Sequence, residues 1–137
     1  METTALTVHD VTYATVAKTI DHSLLRPELT IDEIVDGCAL ALRYDVASVC
    51  CRPVDFVRCR EALAGTDVLV STVIGFPHGS NLTVTKVFEA ERAIEDGAVE
   101  LDMVLAIGML RSGEVGYVGD DIAAVVDIES EAETAAI

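Results

Sequence analysis

Lysine is nearly missing from this sequence. Lys18 and Lys86 are the two present, and Lys and Arg together number 9 against 24 Asp and Glu, for a net charge of −15. A protein that binds nucleic acid regardless of sequence neutralises phosphates with Lys and Arg, so the composition speaks against that class. It speaks equally against an anionic membrane surface. No stretch approaches the ~18 apolar residues of a spanning helix. Met1 to Asp10 contains no basic segment followed by an apolar run, so no export signal is expected. The four cysteines, Cys38, Cys50, Cys51 and Cys59, form no Cys-x-x-Cys pair, and His9, His22 and His78 stand at no metal-ligand spacing from them. No metal site is therefore expected. The cysteines read as reduced, buried thiols, and the expected compartment is the cytoplasm.

What is present is apolar. Hydrophobic residues make up 51% of the 137 and mean hydropathy is +0.43, which excludes a disordered chain. A chain of this length buries roughly 68% of its unfolded surface if it folds alone. The acidic residues are spread along the chain rather than gathered in a tail. Sparse lysine with dispersed carboxylates predicts a protein that stays soluble in high salt, where screening relieves self-repulsion.

Periodicity gives the order of elements. Val11 to Lys18 reads as a short helix. Thr19 to Leu24 reads as a strand with Ile20 and His22 on one face and Asp21 and Ser23 on the other. Thr30-Ile31-Asp32-Glu33 is a capping box, followed by apolar residues at Ile31, Ile34, Val35, Cys38, Ala39 and Leu42, a helical spacing. Val46 to Cys51 reads as a buried strand. Pro53 suits the first position of a helix that stops at Gly65. Val68 to Ile74 is the strongest strand, and Gly75-Phe76-Pro77-His78-Gly79 is a loop. Asn81 is placed to cap a helix that ends at Gly97, and Ala98 to Val104 is a further strand. Gly108, Gly113, Gly116 and Gly119 read as loop punctuation, and Asp120 to Asp127 as the start of one more helix.

Four strands, each followed by a helix, call for a parallel sheet covered by helices. An open doubly wound sheet and a (β/α)8 barrel both fit. The strand around Asp102 favours the barrel. Val99, Leu101 and Met103 lie on one face and Glu100 and Asp102 on the other. An apolar face meets helices, and a face with two carboxylates suits a barrel lumen near its carboxyl-terminal mouth.

The strand ends then become recognisable. They are Ile20-Asp21-His22-Ser23-Leu24-Leu25-Arg26-Pro27, Ala47-Ser48-Val49-Cys50-Cys51-Arg52-Pro53, Thr72-Val73-Ile74-Gly75-Phe76-Pro77-His78-Gly79 and Glu100-Leu101-Asp102-Met103-Val104. In this order and at these separations they resemble deoxyribose-phosphate aldolase, over residues 20–126. The resemblance implies an α/β fold of the (β/α)8 TIM-barrel family, with about the first four βα units present. It implies a class I aldolase that reversibly cleaves 2-deoxy-D-ribose 5-phosphate to acetaldehyde and D-glyceraldehyde 3-phosphate, without metal or other cofactor. A lysine forms a Schiff base with the carbonyl substrate, whose iminium delocalises the carbanion left by C–C cleavage, and a carboxylate beside a second lysine moves protons. The resemblance puts the proton-relay carboxylate on Asp102 and substrate-pocket residues on Asp21, Ser23 and Cys50. Ser23 stands where the family usually has Thr.

The departure is as informative as the match. In the family the Schiff-base lysine lies on the sixth strand, with its partner lysine and phosphate loops beyond. Here no fifth apolar strand is expected. The chain divides into a lead-in over residues 1–18, a partial barrel over 19–126 and a divergent acidic tail over 127–137. Lys86, in the first turn of its helix, reads as a solvated helix lysine, and Lys18 lies before the first strand, at the wrong end of the barrel. His78 reads as an exposed loop residue. Arg52 and Arg111 follow strands, but the resemblance places phosphate elsewhere. The expectation is an aldolase half that is inactive by itself. The expected partners are a small phosphorylated sugar or aldehyde, and either a second copy that closes an eight-stranded barrel or a separately encoded second half. The alternative is a non-catalytic half-barrel that binds a phosphorylated metabolite or complements a separately encoded second half.

Overall fold

A computed structural model describes residues 11–132 and 135–136. Residues 1–10 of the expected lead-in and residues 133, 134 and 137 of the expected tail lie outside the described residues. The elements follow in the order α1 (Tyr13–Ala17), β1 (Asp21–Leu24), α2 (Ile31–Tyr44), β2 (Ser48–Cys51), α3 (Phe56–Ala62), β3 (Leu69–Ile74), α4 (Thr83–Glu95), β4 (Glu100–Met103), α5 (Ile107–Arg111), α6 (Val115–Ala132) and β5 (Ala135–Ala136). The strands form one parallel sheet in sequence order. Each crossover carries its helix over one face of the sheet, as alternating β and α segments require.

Period-two alternation sorts the side chains. Leu24, Val49, Cys51, Val70, Ile74 and Leu101 point to the helices and join Ile34, Cys38, Phe56, Cys59, Ala90 and Ala93 in one buried core. The face predicted to be apolar in β4 is thus the one that meets the helix layer. Helix α2 has the expected capping box. Thr30 Oγ1 accepts from the Glu33 N–H at 3.3 Å, and the Glu33 carboxylate accepts from the Thr30 N–H at 2.8 Å. Its buried stripe is nevertheless rotated from the expected one. Ile34, Gly37, Cys38 and Ala41 face inward, and Ile31, Val35 and Leu42 are exposed. The cause is Leu24: a Cβ on Gly37 would stand 2.5 Å from its side chain, so the helix turns a bare backbone toward β1.

Further expectations are corrected. A fifth strand exists: Ala135–Ala136 pairs in parallel with Glu100 and Leu101. Pairing uses only backbone N–H and C=O groups, so two alanines suffice and leave no apolar run to read. Gly108 is helical, inside α5, as are Gly116 and Gly119 inside α6, and the turn is at Gly113, whose φ is +81°. Helical glycine costs about 1 kcal/mol each, which packing of α6 on α4 offsets. Asn81 does not cap α4, whose N-cap is Leu82 without a side-chain hydrogen bond. Helix α6 also runs through residue 127, so residues 127–132 continue it. Among the described residues no helix is long and apolar enough to cross a membrane, and no group of His, Cys, Asp and Glu could hold a metal ion.

Candidate active site

The face of the sheet turned away from the helices is polar. The pairing register sets Asp21 beside Ser48, Ser23 beside Cys50, Cys50 beside Ser71, and Val73 beside Asp102. All four residues expected in the site therefore share one face. Ser48 Oγ donates to Asp21 Oδ1 at 2.6 Å. The Cys50 thiol donates to Asp102 Oδ2 at 2.9 Å. That contact skips a strand. Neighbouring strands lie about 4.8 Å apart, so β2 and β4 are separated by about twice that. Their side chains meet because the sheet is concave on this side and the intervening β3 presents Ser71, whose side chain is short. The structure brings Cys50 and Asp102 into direct contact, while Asp21 bonds its own neighbour and Ser23 stands exposed at the rim.

The electrostatics follow from three carboxylates on one concave surface. Burial raises the Glu100 pKa above its ordinary range, and the charges of Asp21 and Asp102 raise it further. Its Oε1 is buried without a hydrogen-bond partner, as is Ser71 Oγ. Burial, with the hydrogen bond to Asp102 next, pushes the Cys50 thiol up to about 12. Cys50 is thus a proton donor to a carboxylate at neutral pH, not a thiolate. Ser48 and Ser71 were not singled out for the site from the sequence, and Glu100 was placed on the lumen face beside Asp102 without a role. Their signal was alternation: each lies an even number of residues from Cys50 or Asp102 in its own strand, or pairs with such a residue.

The remaining candidates fall elsewhere. Arg52 turns its guanidinium to the backbone, donating to the carbonyls of Arg26 (3.2 Å), Pro27 (2.8 Å) and Leu29 (3.0 Å) and pairing with Asp55 at 2.6 Å. His78 is exposed on the β3–α4 loop, and Arg111 is exposed on α5. Lys18 pairs with Asp45 at 2.6 Å, at the end of the sheet opposite Asp102. Lys86 corrects the expectation of a solvated lysine. It is 0% exposed, and its Nζ lies 2.6 Å from Asp121 Oδ2 on α6, beneath the helix layer. Its helical position falls on the stripe of Ala90 and Ala93, which α6 covers. Neither lysine reaches the concave face. At the strand ends a cleft of about 260 Å³ opens between Leu25, Arg52, Val73, Phe76, Pro77 and Glu89.

Comparison with known proteins fits this geometry. The chain is 49% identical over 119 residues to a deoxyribose-phosphate aldolase of Rhodopirellula baltica, covering 87% of this chain and 49% of that protein. It is 50% identical over 113 residues to one from a Geobacillus strain, covering 82% and 51%. The chain is a homologue of the deoxyribose-phosphate aldolases. It matches their N-terminal portion and spans about half the length of the curated relatives it matches. The solved deoxyribose-phosphate aldolase of Aeropyrum pernix superposes with a TM-score of 0.82 at 26% identity, over 91% of this chain and 52% of that one. The strand–helix alternation described above thus matches half of the aldolase TIM-barrel structures. No family model matches the chain.

Proposed function

We propose that this chain is the strand-one-to-four half of a deoxyribose-phosphate aldolase site. The Cys50–Asp102 contact at 2.9 Å carries the reading. It supports Asp102 as the proton-relay carboxylate and Asp21, Ser23 and Cys50 as residues lining the substrate pocket. In the complete reaction a lysine amine condenses with the substrate carbonyl and releases water. The protonated imine takes up the electron pair of the breaking C–C bond, and glyceraldehyde 3-phosphate leaves before hydrolysis frees acetaldehyde. Asp102, already hydrogen-bonded to a donor, is suited to pass the proton that this sequence requires. The amine must come from outside these residues, because Lys86 is sealed under the helices and Lys18 stands at the far end of the sheet. The partner that fits is a second half-barrel carrying that lysine. A second copy of this chain would bring no amine to the site, since its lysines are placed in the same way.

The test is complementation. The 137-residue chain is mixed with the separately produced C-terminal half of the Rhodopirellula baltica relative, and retro-aldol turnover is followed. Turnover with the mixture and none with either half is expected. Borohydride reduction with acetaldehyde should trap mass on the added half alone. Turnover by this chain alone, or a single trapped adduct on Lys18 or Lys86, overturns the reading. No turnover by the mixture while the halves bind each other favours a non-catalytic module. The acid excess supports tolerance of high salt as a further property, and equal or better stability in dilute buffer than in molar salt would count against it.

A further inference from the structure

The deepest charges in the molecule are not in the site. Lys86 and Asp121 are both fully buried, one on α4 and one on α6. The Thr83 hydroxyl donates to the second oxygen, Asp121 Oδ1, at 2.8 Å. The Lys86 ammonium also donates to the Val104 carbonyl at 3.0 Å. Two buried charges are costly to desolvate, and apolar residues of similar volume often replace such a pair without loss. Stability alone therefore gives no reason for a lysine here. The third partner does.

Val104 lies two residues beyond Asp102 at the end of β4. Its N–H donates to the Ile74 carbonyl at 2.9 Å, and its own carbonyl accepts from Lys86. The peptides either side of Val104 are thus held by two different elements. Gly75 follows Ile74 with φ +67°, and a Cβ there would stand 2.9 Å from Lys86 Cε. The lysine stem therefore runs directly under the end of β3. A Cβ on Gly79 would stand 1.9 Å from the Leu105 carbonyl oxygen, so the two loops leave no slack between them. The carboxyl ends of β3 and β4 are gathered around one lysine side chain, β3 against its stem and β4 at its ammonium.

We infer that Lys86 and Asp121 are positioning residues for the concave face: through the Val104 carbonyl they fix where the end of β4 holds Asp102 against Cys50. The inference deepens the aldolase reading but needs only the geometry of this chain. It is tested without turnover, so its failure and that of the aldolase reading are separable.

The readout is ionisation of the Cys50 thiol, followed by the ¹³Cβ shift of Cys50 against pH in the 137-residue chain. Asp21, Asp102 and Ser71 are the groups that face this thiol. In the native chain its midpoint is expected well above the ordinary thiol range, because burial and the Asp102 carboxylate both favour the protonated thiol. The variant K86M/D121L removes both charges together. It is expected to stay folded and to lower the proton affinity of Cys50 at least about tenfold as Asp102 draws away. Thr83→Val is the milder variant, retaining the ion pair while loosening Asp121, with a drop of about twofold expected. Ile94→Ala, on the same helix, serves as a control for general loosening and should leave the midpoint unmoved. An unchanged midpoint in a folded K86M/D121L, or in Thr83→Val where the double variant does not fold, overturns the inference. So does an equal drop in Ile94→Ala.

Discussion

Cys50 and Cys51 are neighbours in the chain and belong to different worlds. Cys51 points to the helices and is sealed among Val49, Val70 and Ile74, all within the core. Cys50 points the other way and gives its proton to a carboxylate two strands off. The same contrast runs the length of the sheet. The helix-facing side is packed, with apolar groups interlocked in a single cluster, and His22 Nε2 is the buried side-chain atom there without a partner among the described residues. The concave side is polar, with Glu100 Oε1 and Ser71 Oγ still lacking partners. One face stores the stability of the molecule, and the other has its polar groups arranged at some cost to it. Sites commonly show this division.

Substitutions on the two faces should separate these roles. The largest effect is expected on the packed face. Leu101→Ala removes a fully buried side chain and should cost about 2–5 kcal/mol in urea unfolding. A loss under about 1 kcal/mol would mean that the core is not packed as described. The cysteines make a closer comparison. Cys51→Ser replaces a thiol that reaches the Ser71 carbonyl at 3.7 Å with a shorter, more polar hydroxyl inside the core and should cost about 1–3 kcal/mol. Cys50→Ser keeps a donor for Asp102 and should change stability by less than about 0.5 kcal/mol. Equal losses from the two would erase the distinction between the faces.

The smallest effect is the most specific to the concave side. The Glu100 pKa is raised in the folded chain above its ordinary 4.5. The folded state therefore holds that proton more tightly than the unfolded state. The contribution to stability is full below about 4.5 and is lost as pH rises through the folded pKa. Glu100→Gln should raise the melting temperature at pH 7 and change it little at pH 4. A uniform shift at both pH values would show that titration of Glu100 is not the cause.

The packed face was legible in the sequence, because alternation in Ala98 to Val104 and Val46 to Cys51 fixes which side chains share a side. The polar face was legible for the same reason, and the resemblance of the strand ends placed Asp102, Asp21, Ser23 and Cys50 on it together. Other features were not legible. The rotation of α2 depends on the contact between Gly37 and Leu24, which helical spacing alone does not register. Lys86 and Asp121 lie 35 residues apart, and no local pattern joins them. Yet each sits on an otherwise apolar stripe, Lys86 with Ala90 and Ala93, and Asp121 with Val118 and Val125. A charge on the buried stripe of each of two helices was the available sign of a partner.

Arg52 bears on how such a protein can be rearranged. Its guanidinium stands at the end of β2 but holds three carbonyls of the preceding loop, those of Arg26, Pro27 and Leu29. The shape of that loop is therefore encoded partly in the next repeat. A strand and its following helix look like an interchangeable module, but a crossover made between α2 and β2 would transplant a loop without its fastening. Recombination that respects this molecule must carry the β1–α2 loop together with β2 and Arg52.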